Sequence, residues 1–280
     1  MTPADYTYLC DLLKQRSGLV LDASKNYLVD SRLTPLAQSY GLAGLSELVQ
    51  RLRTGRDERL AVAVTEAMTT NETLFFRDTL PFEELSRIVL PRLLEARRNG
   101  RRLRFWSAAC STGQEPYSIA MLLHDQFPQL RNWSIEIVAT DLSTQALNRA
   151  RAGEYSVLEV QRGLPTATLV QHFDRTESGY RIKPALRQGI QWRQLNLQDP
   201  LSSLGIFDVI FCRNVLIYFD VDGKRRILNN IRRQMPDDGC LILGAAETAL
   251  GLTPELERHR ECRSAMWHPR LTTDSTQRTT

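Results

Sequence analysis

The sequence predicts an α/β fold: a parallel sheet with helices on its faces and one inserted subdomain, preceded by a small all-helical domain. Three observations lead there. Apolar residues in the first hundred positions recur at helical spacing with no convincing strand. From residue 103 onward, short apolar runs alternate with helical patterns, as parallel sheets require. Between the second and third of those runs lie residues 153–189, too many for a simple crossover.

In chain order, Tyr6, Leu9, Leu12 and Leu13 mark a first helix that stops at Gly18. Ser24 is placed to cap a second helix, with Leu28, Val29, Leu33, Leu36 and Tyr40 along it. Leu45, Leu48, Val49 and Leu52 fit a third, and Leu60, Val64, Ala67 and Met68 a fourth. A polar segment, 69–78, leads into a long helix over 80–98, ended by Asn99 and Gly100. Strands are expected over 103–108, 135–140, 190–195, 207–213 and 240–243, and helices over 115–125, 144–152 and 221–235. Within the insertion, 165–173 reads as helix and 180–183 alternates as a strand does. The domains are then 1–70, helical; 71–100, linker and long helix; 101–270, the α/β domain; and a polar tail, 271–280, expected to be disordered.

Composition sets the class. With 280 residues and 42% of them hydrophobic, the chain can bury a core without disulfides, which excludes a disordered, collagenous or disulfide-stapled protein. No apolar run reaches the roughly 18 to 20 residues of a membrane span, and no basic-then-apolar leader opens the chain, so a cytoplasmic protein is expected, with a monomer as the default state. Five scattered cysteines, with no CxxC or Cys/His cluster, point to reduced, mostly buried thiols and no metal site. The net charge of +4 looks like a hint of nucleic acid. Yet residues 92–104 hold six arginines against one acid, Glu95, so the rest of the chain nets about −1. A helix C-terminus whose cations offset its dipole accounts for that stretch.

The first strand runs into Ser107-Ala108-Ala109-Cys110-Ser111-Thr112-Gly113-Gln114-Glu115, a small-residue turn before a helix. Such a turn lets a ligand approach backbone N–H groups, and its single glycine argues against a dinucleotide and for a nucleoside cofactor without phosphates. The second strand ends in Thr140-Asp141, where an acid is placed to accept bonds from both ribose hydroxyls or to cap the helix beginning near Ser143. Asn196 and Leu197 follow the third strand, and Arg213, Asn214 and Tyr218 the fourth. Polar groups gathered at one sheet edge are costly unless they meet a ligand or one another. In the linker, Phe75 and Phe76 should pack into the interdomain seam, leaving Arg77 beside a cleft where its guanidinium fork can grip a carboxylate.

Together, TTNETLFFRD, FWSAACSTGQEPYSIAM, IVATDLS and FCRNVLIYFD resemble the chemotaxis receptor glutamate methyltransferases, the CheR family, in order and separation over roughly residues 5–269. The resemblance implies an S-adenosylmethionine-dependent, Rossmann-like methyltransferase domain whose insertion is a small β-subdomain. It implies methylation of glutamate side chains on the cytoplasmic helical domain of chemoreceptors, with S-adenosylhomocysteine as product. By position, it assigns Asn71, Thr73 and Arg77 to the methionine end of the cofactor, Glu115 to its ammonium group and Asp141 to the ribose. Asn196 and Leu197 fall on the adenine side, Arg213 and Asn214 near the methionine moiety, and Tyr218 close to the transferring methyl group. Arg77 and Tyr218 are the groups expected to position the substrate.

A glutamate side chain, with a pKa of about 4.3, needs no base at neutral pH, which fits the absence of one from these motifs. The NPPY-type tetrad of nitrogen methyltransferases is missing, with Arg213-Asn214-Val215-Leu216 in its place, and this argues against nucleic acid as substrate. A non-catalytic cofactor-binding adaptor is disfavoured by the intact Arg77, Asp141, Asn214 and Tyr218. Lys25 and Arg32, seven apart on one helix side, are the cations expected to meet the acidic receptor helices; the cluster from Arg51 to Arg59 is interspersed with acids. The short connection between Phe173 and Tyr180 leads us to expect no tethering of a receptor C-terminal peptide by the insertion.

Overall fold

The computed structural model describes residues 1–22 and 25–270. Helix α1, Pro3–Ser17, opens with a reciprocal cap in which the Asp5 N–H donates to Thr2 Oγ1 (3.2 Å) and the Thr2 N–H to Asp5 Oδ2 (3.1 Å). It ends at Gly18, whose φ of 75° suits the left-handed stop that glycine permits. Helices α2 (Asn26–Ser39), α3 (Leu45–Arg53) and α4 (Glu58–Met68) follow. Leu9, Leu13, Val29, Leu33, Leu48, Leu60 and Val64 meet in their fully buried core, so the periodic positions are the packed ones. Ser24, expected to cap α2, and the tail over 271–280 lie outside the described residues.

The long helix expected over 80–98 is interrupted. It runs as α5 (Leu80–Glu84), a π-helical turn (Leu85–Val89) and α6 (Leu90–Ala96). The cause is Pro91, which has no N–H for the carbonyl four residues back. The Leu90 N–H reaches back five residues to Leu85, and the widened turn makes room for the ring.

The α/β domain then alternates β1 (Arg102–Ala108), α7 (Gln114–Gln126), β2 (Ser134–Asp141) and α8 (Thr144–Ala152). The insertion supplies β3 (Glu154–Tyr155), α9 (Val157–Gln161), α10 (Thr166–His172), β4 (Phe173–Arg175), β5 (Tyr180–Ile182) and α11 (Pro184–Arg187). After it come β6 (Ile190–Gln194), β7 (Val209–Cys212), α12 (Val221–Arg232), β8 (Cys240–Leu243), β9 (Leu256–Arg258) and β10 (Met266–Pro269). The large sheet has the order β6-β2-β1-β7-β8-β10-β9, parallel across its first five strands. Strands β9 and β10, which the sequence did not announce, extend it antiparallel. They are three and four residues long, too short to display alternation, and Pro269 speaks against a strand.

Strand periodicity divides the core. Phe105, Ile137, Val209, Phe211 and Ile242 face one helical layer, whereas Trp106, Val138, Ile210, Leu241 and Leu243 face the other. In the insertion, β3-β5-β4 form a small antiparallel sheet. Its Tyr155 and Phe173 pack edge-on against Phe75, with ring centres 4.9 and 5.6 Å away, so Phe75 joins the core of the α/β domain and its insertion rather than the expected seam with the helical domain. Five of the six arginines between 92 and 104 pair with carboxylates: Arg92 with Glu261, Arg97 with Asp208 and Asp238, Arg98 with Glu95, and Arg102 and Arg104 with Glu136. Ion pairing, mostly with acids distant in sequence, therefore answers the basic stretch more than a helix dipole does. Among the described residues, no helix is long and apolar enough to cross a membrane.

Candidate active site

Register builds the site. Ala108 lies opposite Thr140 and Cys212, Cys212 opposite Leu243, and Asp141 opposite Gln194, so the four central strands and β6 finish at one edge. That edge, the linker and the end of α1 line one open cleft. Asn71, Thr73, Arg77, Glu115, Asp141, Asn196, Leu197, Arg213, Asn214 and Tyr218 all line it, so the structure brings together the ten residues expected at the cofactor and methyl-transfer site, while Lys25 and Arg32 lie elsewhere.

The turn after β1 carries left-handed backbone at Ala109 (φ 56°), Ser111 (φ 52°) and Gly113 (φ 95°). For non-glycine residues this conformation costs about 1–2 kcal/mol each, so neighbouring bonds must hold it. The Cys110 N–H donates to the Thr140 carbonyl (2.9 Å) and the Ser111 N–H to Asp141 Oδ2 (2.7 Å). The Ser111 hydroxyl donates to the Asn71 carbonyl (2.7 Å), tying linker to turn. At Gly113 an added Cβ would stand 2.9 Å from Ala150 Cβ and 3.0 Å from the Trp192 ring, so close packing as well as φ requires glycine.

Asp141 Oδ1 accepts the Ser143 N–H (2.9 Å). The helix cap itself is Ser143, whose hydroxyl accepts the Ala146 N–H (3.2 Å), so Asp141 knits two loops rather than capping α8. Burial raises its carboxyl pKa, and the N–H bonds of Ser143, Ser111 and Leu142 pull it back. Glu115 is likewise pushed up by burial, opposed by Arg213, Ser107 and Arg77. Arg213, with a side chain 2% exposed, donates from Nη2 to the Arg77 carbonyl (2.8 Å) and Asp78 Oδ2 (2.7 Å), and from Nη1 to Glu115 Oε2 (3.2 Å). Its Nε is buried without a partner. Arg213 thus clamps the strained turn in which Phe76, Asp78 and Thr79 all have positive φ.

Two expectations change in detail. The Asn196 side chain is committed to the helical domain, donating from Nδ2 to the Arg16 carbonyl (2.6 Å). Arg32 is not a free surface cation. It donates to the carbonyls of Met68 (2.8 Å) and Thr69 (2.9 Å) and to Thr70 Oγ1 (3.0 Å), closing the C-terminus of α4 just before the linker. Lys25, beside Asp22 (3.5 Å), stays 39% exposed.

Sequence reasoning missed Ser17 and Leu19, which line the cleft from the end of α1. Gly18 docks between them: its φ is 75°, and a Cβ there would lie 2.5 Å from the Phe219 ring. The Val20 N–H donates to the Tyr218 carbonyl (2.9 Å), coupling the helical domain to the turn that carries Tyr218. Also missed was Glu247, although Gly244-Ala245-Ala246-Glu247 repeats the strand-tip-then-acid pattern of Thr140-Asp141. Among the described residues no histidine lines the cleft, and its one cysteine, Cys110, is buried, which pushes its thiol pKa well up and disfavours the thiolate. Among the described residues, one grouping has metal-ligand character: His124, Asp125 and His172. It sits at the far end of α7 from Glu115, and its members are already paired, with His172 Nε2 2.7 Å from Asp125 Oδ1.

Residues 71–265 match the family described as CheR methyltransferase, SAM binding domain, and residues 4–69 match CheR methyltransferase, all-alpha domain. The chain is 47% identical to chemotaxis protein methyltransferase 1 of Pseudomonas aeruginosa, across 92% of this chain and 95% of that protein. It is 45% identical to chemotaxis protein methyltransferase Cher2 of Pseudomonas putida, across 89% and 91% of the two chains. With chemotaxis protein methyltransferase 1 of Vibrio cholerae it shares 43% identity, across 91% and 93%.

Proposed function

The chain belongs to the CheR methyltransferase family, and on that premise we propose that it transfers a methyl group from S-adenosylmethionine to glutamate side-chain carboxylates of chemoreceptors. The observation that most supports this is the convergence of Asp141, Arg77, Arg213, Asn214 and Tyr218 on one cleft at the strand tips.

The residues fit the cofactor. Asp141 accepts the Ser111 and Ser143 N–H groups on separate oxygens, with the Leu142 N–H also directed at the carboxylate, which still leaves acceptor capacity suited to a ribose hydroxyl. The small residues after β1 let a nucleoside come close to the backbone. Asn71, Thr73, Glu115, Arg213 and Asn214 would hold the methionine end, and Asn196, through its backbone, and Leu197 the adenine side. When bound, the cofactor supplies a methyl group on a positively charged sulfonium and leaves as S-adenosylhomocysteine.

The protein's own task is alignment and water exclusion. The incoming glutamate is already ionised at neutral pH, so no residue need take its proton. Arg77 is half-buried and, among the described residues, hydrogen-bonded only to the Glu72 carbonyl (3.3 Å), which leaves most of its guanidinium for a carboxylate. The Tyr218 phenol makes no hydrogen bond among the described residues and bounds the same cleft. Because opposite charges vanish together in the reaction, a site that excludes water favours the transition state, and correct orientation contributes up to about 7–11 kcal/mol in ideal cases. Lys25 is the cation that would face the acidic receptor helices. The connection from β4 to β5 is only four residues, 176–179, in keeping with an enzyme that does not tether a receptor tail. In this reading the enzyme works in the cytoplasm as a monomer and needs no metal.

Incubation of the protein with radiolabelled S-adenosylmethionine and chemoreceptor-containing membranes tests the assignment. Base-labile release of labelled methanol from receptor is the expected result. Label on RNA alone, or on nothing, would overturn it.

A further inference from the structure

We propose that Glu247 is a positioning residue for the methyl transfer proposed above: its carboxylate sets the turn that presents Asn214 and Tyr218. Glu247 does not line the cleft, so it acts through those residues. It is 7% exposed and accepts four backbone N–H groups. Oε2 takes those of Asn214 (2.8 Å) and Gly244 (2.7 Å), and Oε1 those of Val215 (2.9 Å) and Leu216 (2.7 Å). Two strand tips, the end of β7 and the end of β8, are thereby held by one side chain.

Three of those donors open the short 3₁₀ turn Leu216–Tyr218, where backbone N–H groups have no partner within the turn and concentrate positive potential. A carboxylate satisfies them all at once. The arrangement also holds strain in place, because Asn214 sits at φ 57°. Its fit depends on Gly244, where a Cβ would stand 2.7 Å from Glu247 Oε2 and 2.9 Å from both the Asn214 backbone nitrogen and its Nδ2. No other acid stands in for Glu247 here: Glu115 and Asp141 are engaged with Ser107 and Arg213, and with Ser111 and Ser143.

The chemistry of the acceptor separates this role from simple filling of space. A carboxylate has only acceptor sites, about four of them, and all four N–H groups use one. In Glu247→Gln the shape persists, but an NH₂ group is turned against two N–H donors, so two bonds are lost and the turn is pushed from its place. Glu247→Asp keeps the charge and shortens the reach by one carbon.

The experiment compares full-length wild type, Glu247→Gln and Glu247→Asp. Hydrogen exchange is read over Asn214–Leu216, S-adenosylhomocysteine affinity by calorimetry, and kcat and KM on receptor membranes. For Glu247→Gln we expect fast exchange confined to that segment and the β8 tip. We also expect kcat to fall by about 100-fold, the scale of a ~1 Å misplacement, with receptor KM little changed. Glu247→Asp should fall between the two. Wild-type exchange, cofactor affinity and kcat in Glu247→Gln would overturn the proposal, and so would exchange that rises uniformly through the fold. Should Glu247→Gln not fold, the same readouts on Glu247→Asp decide: local exchange with a selective loss of kcat supports the role, and wild-type behaviour refutes it. Exchange and cofactor affinity need no methyl acceptor, so absence of receptor methylation in the wild type would count against the functional reading without deciding the role of Glu247.

Discussion

Replacing Arg213 by methionine isolates the energetics of the clamp beneath the cleft. The guanidinium is buried and is the cationic partner of Glu115 Oε2 (3.2 Å), whose other oxygen accepts only the Ser107 hydroxyl (2.8 Å). Methionine keeps much of the volume but takes from a buried carboxylate its hydrogen-bonded counter-charge, a loss that costs about 3–5 kcal/mol. At about 2–4 °C per kcal/mol for a chain of a few hundred residues, Tm should fall by roughly 6–20 °C at pH 8. The effect has a sign in pH. Burial already places the Glu115 carboxyl above its unfolded value, and loss of Arg213 raises it further. A raised carboxyl favours the fold most below the unfolded pKa and is penalised increasingly as pH climbs through the folded one. The deficit of Arg213→Met relative to wild type should therefore shrink as pH falls from 8 toward about 5. Adding Glu115→Gln should recover part of it, since an amide needs no counter-charge. Thermal unfolding followed by circular dichroism across that range makes the test. A deficit independent of pH, together with further loss in the double variant, would refute this account of the pair.

Arg32→Ala should weaken binding of S-adenosylhomocysteine by roughly tenfold, because it unties the carbonyls of Met68 and Thr69 beside the cleft; charge-assisted bonds of this kind contribute about 1.5–3 kcal/mol. Lys25→Glu should leave that affinity intact and reduce receptor methylation chiefly at low salt, and calorimetry with methylation assays at two ionic strengths separates the pair. Gly18→Val should cost at least about 1–2 kcal/mol for the left-handed backbone alone, with more from the Phe219 ring. Urea unfolding should register the loss, and faster proteolysis between α1 and α2 should accompany it; wild-type stability would mean that the helical domain is not docked through this glycine.

Much of this was legible before any coordinates. Helical spacing in the first 70 residues and the run of apolar segments after residue 103 yielded the two kinds of packing, because burial on one helix face and on both sheet faces imprints different periods. Six of the ten site residues, Asp141, Asn196, Leu197, Arg213, Asn214 and Tyr218, were recognisable because parallel strands in register must end at one edge, whereas Asn71, Thr73, Arg77 and Glu115 rested on the linker motif and the family resemblance. The π turn was implicit in Pro91, but where a helix relieves such a conflict depends on what packs around it. Strands β9 and β10 carried too few residues to show a pattern.

Side-chain partners belong to the tertiary structure. Residues 92–104 had a charge of +5 in the sequence and nothing to say which acids, up to 169 residues away, would answer it. Arg32 looked like a surface cation until the end of α4 came within reach of its guanidinium. Glu247 looked like one acid among 32 until two strand tips brought four N–H groups to its carboxylate. The sequence by itself determined the principal helices, the five parallel strands, their order and the strand tips that make the cleft, because these follow from local periodicity and from the geometry of a parallel sheet. Only the folded chain decided which charges are clamps, which are surface and which are left to face a ligand, because a hydrogen bond depends on distance and direction between residues that the chain order does not relate.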